Sequence, residues 1–199
     1  MNTKNILVAP LNWGLGHAAR CIPLIKELIN QGYTPVLASD GNALNLLKKE
    51  FPNLIALELP SYEIEYAKKA KNFKWKLLKN SPKTINAIIE EKKLVKKWCE
   101  EYDLAGIISD NRLGVYNKKV PSVIITHQLR VLSGKTTWIS SKLHQRFIKK
   151  FNECWVPDFE KKPNLTGKLG HLKDASFTVK YLGPLSRLNI LKIEKKYDL

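Results

Sequence analysis

The sequence predicts an α/β protein built on a Rossmann-like, doubly wound and mostly parallel sheet. Short β-branched apolar runs alternate with helical patterns along the 199 residues, which is the signature of βαβ units. The first run, Asn5-Ile6-Leu7-Val8-Ala9-Pro10, is apolar on both faces, as a strand covered by helices on both sides must be. It passes directly into a glycine-bearing turn, Leu11-Asn12-Trp13-Gly14-Leu15-Gly16, and then into a helical pattern.

Each element has its own reason. From His17, the residues Cys21, Ile22, Leu24, Ile25, Leu28 and Ile29 recur on one helical face, and Gly32 supplies the stop. Thr34 to Ser39 reads as a second strand, Asn42 to Glu50 as a second helix and Leu54 to Leu57 as a third strand. Ser81-Pro82 offers an N-cap followed by a proline at the first helical position. Ile85, Ile88, Ile89, Val95 and Trp98 then mark an amphipathic helix. Leu104 to Ser109 is a fourth strand and Val120 to Thr126 a fifth. Thr136 to Lys150 is basic and helical, Cys154 to Val156 a sixth strand, and Phe177 to Leu182 the last, closed by Gly183-Pro184. In such a sheet ligands bind beyond the carboxyl ends of the strands, at the point where strand order reverses. The first and fourth strands are expected to flank that point, which places Asn12 to His17 opposite Asp110 to Arg112.

Composition narrows the class. No apolar run approaches the roughly 18 residues that cross a bilayer, and the first residues lack the apolar region of a signal peptide; a cytoplasmic protein is expected. Cys21, Cys99 and Cys154 are widely spaced with no metal-ligand pattern, and read as buried thiols. Charge is more telling. Lys plus Arg number 34 against 18 Asp plus Glu, a formal +16. Tyr62 to Trp98 holds eleven Lys against four Glu, and Arg130 to Lys150 holds six basic residues and no acidic one. Such a field suits phosphate-bearing partners or an anionic membrane surface, and equally describes a solvated lysine-rich surface. No recognition motif supports nucleic-acid binding.

The chemistry-bearing candidates gather at the expected mouth. Gly14, Leu15 and Gly16 let a substrate approach the backbone, and the helix amino terminus behind them favours anions. The pattern is not GxGxxG, because Ala19 holds the third glycine position. His17 would serve as a base toward an acceptor hydroxyl, with Asp110 on its second nitrogen as orienter. A plain strand-to-helix turn capped by His17, and an Asx turn at Asp110, are the structural alternatives. Asn12, Asn111, His127 and Gln128 are expected to line the substrate site. Arg112 and Arg130 are candidate phosphate contacts through their guanidinium forks, or simple surface arginines. His144 and His171 read as surface histidines. Tyr62 to Leu78 interleaves aromatics with lysines; it suits a membrane interface, stacking on a single strand, or a core helix with snorkelling lysines.

On these residues the sequence resembles the family 28 glycosyltransferases and their relatives, including the lipid II-forming N-acetylglucosaminyltransferase and the monogalactosyldiacylglycerol synthases. The resemblance lies in Ile6-Leu7-Val8-Ala9-Pro10 leading to Gly14-Leu15-Gly16-His17, in Ile108-Ser109-Asp110-Asn111-Arg112, in Ile125-Thr126-His127-Gln128, in Trp155-Val156-Pro157-Asp158 and in Tyr181-Leu182-Gly183-Pro184. It implies the amino-terminal domain of a two-domain GT-B fold, and an inverting enzyme that holds its acceptor here and its nucleotide-sugar, most simply a UDP-sugar, in the second domain. It implies no metal ion and no cofactor beyond that co-substrate. His17 matches the family's glycine-loop histidine, and Asp110 the aspartate that orients such a histidine in other inverting GT-B enzymes, which the lipid II enzyme lacks at that place. Asn12-Trp13 stand where the lipid II enzyme has glycines.

Residues 1–184 are thus expected to form an acceptor-binding domain, and residues 185–199 a linker whose second, donor domain is absent. The location would be cytoplasmic, peripheral at the inner face of the membrane if the basic segments dock there. Two other readings stand beside sugar transfer: a stand-alone or split-enzyme domain that binds phosphorylated or lipid ligands, and a sugar-nucleotide epimerase-like enzyme.

Overall fold

The structure, a computed structural model, describes residues 3–62, 73–131 and 137–188, with the backbone alone for 73–81. Seven strands form one sheet: β1 (Asn5–Pro10), β2 (Thr34–Ser39), β3 (Ala56–Glu58), β4 (Leu104–Asp110), β5 (Ser122–Ile125), β6 (Glu153–Val156) and β7 (Val179–Tyr181). Their order is β3-β2-β1-β4-β5-β6-β7, and every pairing is parallel. The helices between them are α1 (Gly16–Asn30), α2 (Gly41–Glu50), α3 (Phe73–Glu101) and α4 (Thr137–Ile148). The doubly wound α/β fold expected from the sequence is therefore the fold adopted. β1 lies beside β4, so strand order reverses between them.

The two-residue period of the strands explains the layers. Leu7 and Ala9 of β1 point into one core with Val36, Ala38, Ile107 and the α3 residues Val95 and Trp98. Val8, one residue out of phase, joins Leu37 and Ile108 against Ala18, Cys21, Ile22 and Ile25 of α1. A third cluster, including Ile124, Leu129, Phe151, Cys154 and Val156, seats Ile148 of α4.

Two expectations change, and at Tyr62 one of the open readings holds. The helix expected to start at Ser81-Pro82 begins upstream at Phe73, with Pro82 inside it; a proline removes one backbone donor but does not stop a helix held by packing on later turns. Tyr62 is buried, its hydroxyl donating to Glu91 Oε2 at 2.7 Å, so it is a core residue and no part of an exposed interface. The rest of the Tyr62–Leu78 segment, residues 63–72 and the side chains of 73–78, lies outside the described residues. So does most of the expected linker, 189–199. Cys21 and Cys154 are buried as expected, whereas Cys99 is only half-buried.

A buried ionic cluster joins the carboxyl ends of three strands. Arg112 is fully buried. Its Nε donates to Pro10 O at 2.9 Å, its Nη1 to Pro60 O at 3.1 Å and to Glu91 Oε1 at 2.8 Å, and its Nη2 to Asp40 Oδ1. Glu91 also accepts from the Gly114 N–H at 3.0 Å. Burial raises the Glu91 carboxyl, while Arg112, Tyr62 and Gly114 pull it back. Gly114 is crowded as well: a β-carbon there would lie 2.3 Å from Ile88 O. Removing one member of a buried pair leaves the other charge without a partner, at about 3–5 kcal/mol. Arg112→Met is therefore expected to lower unfolding stability by about 3–5 kcal/mol in urea titration. A loss of less than about 1 kcal/mol would show that the cluster does not hold the strand ends.

Candidate functional site

The mouth of the site is the turn between β1 and α1. Gly14 has φ +71, a left-handed conformation that glycine adopts without strain, so the chain can reverse into the helix. Gly14, Leu15 and Gly16 are exposed. Leu15 is the N-cap of α1 and makes no side-chain capping bond, so the first-turn N–H groups have no intrahelical acceptor. His17 is in this first turn rather than at the cap, and is buried.

Asp110 ends β4 in register with Pro10, the last residue of β1. It is fully buried. Its Oδ1 lies 3.0 Å from His17 Nδ1, so the two residues that the sequence placed on opposite sides of the switch point do meet. Arg20, which sequence reasoning did not single out, completes the group. Its Nε donates to Asp110 Oδ2 at 2.5 Å, its Nη2 to Oδ1, and Nη2 lies 2.6 Å from His17 Nδ1. Cys21 Sγ lies 3.8 Å from Asp110 Oδ2. His17, Arg20 and Cys21 follow one another at i, i+3 and i+4, so one face of α1 covers the carboxylate. That spacing was visible in the sequence and would have found Arg20. Burial alone would raise the Asp110 carboxyl; the hydrogen bonds from His17 and Arg20 outweigh it and hold it below its ordinary value.

The remaining candidates divide. His127 follows β5 half-buried, close enough to feel the charges of Arg20, His17, Asp110 and Asp158. Gln128 follows it; its N–H donates to Thr126 Oγ1 at 3.1 Å. Asn111 is half-buried, with φ +60. That left-handed step turns the chain so that Asp110 meets α1 while Arg112 meets α3 and the end of β2. Arg112, expected as a phosphate contact, is instead buried and committed to four acceptors within the fold. Asn12, expected to touch substrate, spends its amide on the fold: Nδ2 donates to Asp40 Oδ2 at 3.1 Å and Oδ1 accepts from the Ala43 N–H at 3.3 Å, which fastens the turn to the start of α2. Arg130 is half-buried in the loop after β5.

Of the two histidines expected at the surface, His144 is more enclosed than expected, while His171 lies in a surface loop. His144 is half-buried; one ring nitrogen donates to the Gln128 carbonyl, while Nε2 is buried with no hydrogen-bond partner among the described residues. It braces the loop that carries His127. His171 stacks on Tyr181 at 4.9 Å, with its ring nitrogens 3.0 Å from the carbonyl oxygens of Gly167 and Phe159. Asp158, in the motif after β6, accepts from the N–H groups of Phe159, Leu165 and Thr166 and from the Thr166 hydroxyl. Those bonds overcome desolvation and bring its pKa down to about 2.

An open cavity of about 600 Å³ lies beside the mouth, between α2, α3 and the end of β3, bordered by Asn12, Asp40, Glu58, Ser61 and Glu90. A second, of about 540 Å³, opens at the other end of the sheet, near Leu104 and Val120 and away from the histidines. Among the described residues no group of three or more His, Cys, Asp or Glu side chains gathers to hold a metal ion, and no helix is long and apolar enough to cross a membrane.

No family model and no curated protein matches the chain by sequence. Solved structures match it by fold. A UDP-glucosyltransferase from Polygonum tinctorium superposes with a TM-score of 0.59 and 12% identity, over 94% of this chain and 53% of that one. A putative UDP-N-acetylglucosamine 2-epimerase from Listeria monocytogenes gives 0.52 and 6%, over 79% and 40%. The glycotransferase of kitacinnamycin gives 0.51 and 12%, over 79% and 46%. The chain spans about half the length of the solved structures it matches. It thus has the Rossmann-like fold found in part of the GT-B glycosyltransferases, which is the fold the sequence resemblance implied.

Burial lowers the pKa of His127 and of His144, and at His127 the Arg20 charge lowers it further. Both imidazoles bind protons more readily in the unfolded chain, whose value is about 6.5. Their contribution to stability is full above that pH and is lost as pH falls from there through the folded values. Histidine NMR titration should give midpoints below about 6.5 for both. A midpoint at or above that value for His127 would mean its ring is open to water.

Proposed function

We propose that this chain is the acceptor half of an inverting glycosyltransferase, which moves a sugar from a nucleotide donor, most simply a UDP-sugar, to an acceptor hydroxyl. The donor half would come from a second domain or a second chain. The observation that carries the reading is the meeting of His17 and Asp110 at the switch point, with the imidazole at the amino terminus of α1 and the carboxylate held ionised.

In this mechanism the Nδ1–H of His17 donates to Asp110, which leaves the Nε2 lone pair for the acceptor. Nε2 takes the hydroxyl proton as the oxygen attacks the anomeric carbon. The bond from that carbon to the nucleotide phosphate breaks, the nucleoside diphosphate leaves with the electron pair, and the configuration inverts. Asp110 stabilises the imidazolium formed in the step. Arg20 keeps Asp110 ionised and fixed. The exposed backbone of Gly14, Leu15 and Gly16, with Asn111, His127 and Gln128, would hold the acceptor and the near end of the donor. Arg112 and Asn12 contribute by holding the turn. The chemistry asks for no metal ion.

Three outcomes are expected. The 199-residue chain alone turns over no UDP- or GDP-sugar, because the donor site lies outside it; detectable turnover would contradict the division into halves. With the donor half present, His17→Ala lowers the chemical step by about 10²–10⁴-fold, and an unchanged rate removes His17 as the base. Arg20→Ala takes two donors from Asp110, so the carboxyl protonates more easily. The acid limb of the pH–rate profile should then move to higher pH; an unmoved limb with only a raised KM would make Arg20 a substrate contact instead.

A further inference from the structure

The recess of about 540 Å³ at the amino end of β4 has a cationic rim and an apolar floor. Its rim carries Lys92, Lys93 and Lys96 of α3 on one side, and Lys118 and Lys119 of the connection from β4 to β5 on the other. All five are exposed, and none forms an ion pair among the described residues. Two carboxylates, Glu100 and Asp103, border the recess beside the end of α3 and leave the excess positive. Leu104 and Tyr116, both buried, and Val120 and Cys99, both half-buried, make the floor. Lys92 Nζ reaches over that floor, 5.7 Å from the centre of the Tyr116 ring. The sequence explains the shape. Lys92, Lys96 and Cys99 follow at i, i+4 and i+7 on one face of α3, while Val95 and Trp98 face the sheet. The connection touches α3 at Gly114, whose N–H donates to Glu91 and where a side chain would strike Ile88 O. Asn117 then fixes the second rim: its N–H donates to Ser122 Oγ at 3.1 Å, and its Oδ1 accepts the Lys119 N–H at 2.8 Å.

We infer that this recess is a binding site for a small organic anion, with a ring or short chain on the apolar floor and two or more negative groups on the lysines. Its volume is that of a small-molecule site, roughly 300–1,000 Å³. Like charges gathered around a low-dielectric floor raise the local potential and draw an anion in. Lysine offers a point charge rather than the planar fork that matches one acid group, so the rim selects for total charge more than for the kind of acid. A bare inorganic anion would leave the floor wet, and a neutral ring would leave the ammonium groups unpaired. β4 runs from Leu104 at this recess to Asp110 at the mouth, about 20 Å at the rise of a strand, so a ligand here does not touch His17. Bound across both rims, it would tie α3 to the connection that Glu91 already holds at Gly114. The inference does not depend on the sugar-transfer reading, since binding is measured without turnover.

Cys99 is a built-in reporter for the test, being half-buried in the wall of the recess while Cys21 and Cys154 are buried. Alkylation of the 199-residue chain by neutral iodoacetamide is followed at Cys99 by peptide mass spectrometry, with naphthalene disulfonate, inorganic pyrophosphate or naphthalenemethanol added at equal concentration. The disulfonate should slow the reaction most, pyrophosphate only weakly, and the neutral alcohol not at all. In K92E/K96E, protection should need about tenfold more disulfonate, the order expected from two exposed ion pairs. The thermal melt of that variant should be unchanged, because both side chains face water. K48E/K49E, the same charge change on α2, should be protected as the wild-type chain is. Three results would overturn the inference: no protection of Cys99 by the disulfonate, equal protection by pyrophosphate or by the neutral alcohol, or an equal loss in the α2 variant.

Discussion

The guanidinium of Arg112 is the fixed point of the carboxyl end of the sheet. It binds the last carbonyl of β1, the carboxylate that follows β2, the carbonyl of Pro60 after β3 and a carboxylate of α3. Burying one positive charge with two negative ones is costly unless every donor finds its acceptor. Here the geometry leaves little freedom in how β1 and β2 end and in where the middle of α3 lies against them. The turn from β1 into α1 starts at a carbonyl that Arg112 and the Ser39 hydroxyl both hold. The position of His17 follows from that turn.

Two residues earlier in the same segment, Asp110 faces the other layer. The left-handed backbone of Asn111 separates a structural cluster from a chemical one, and each has its own arginine. Arg112 serves the cluster that fixes strand ends; Arg20 serves Asp110. A fully buried carboxylate would ordinarily resist ionisation. Arg20 and His17 reverse that, so an anion sits beneath the imidazole at a helix end that itself favours negative charge. The half-buried His127, its pKa lowered, adds a neutral polar group at the same mouth.

Much of this was legible in the sequence. Fully apolar runs such as Leu7-Val8-Ala9 announce parallel strands, and the strand-turn-helix sequence around Gly14 announces the mouth. Asp110 could be placed across from His17 because the carboxyl ends of β1 and β4 adjoin in this fold. Other features depend on tertiary partners that no local pattern reports. Arg112 looks like a loop arginine until Asp40 and Glu91 are seen beside it, 72 and 21 residues away. Asn12 looks like a substrate ligand until Asp40 and the Ala43 N–H claim its amide. Pro82 looks like a helix start because a local rule cannot see that packing carries the helix through it. Arg20 was missed for a simpler reason: its i+3 spacing from His17 was available but was not read as a pair.

The base role of His17 turns on which of its ring nitrogens carries the proton, because both Asp110 Oδ1 and Arg20 Nη2 lie close to Nδ1. ¹⁵N NMR of the His17 ring in the 199-residue chain at neutral pH decides it. A protonated Nδ1 with a bare Nε2 is the predicted result, with Asp110 as acceptor and Nε2 free to act as a base. A protonated Nε2, with Nδ1 accepting from Arg20, would contradict the account, because His17 would then present a donor to the acceptor hydroxyl.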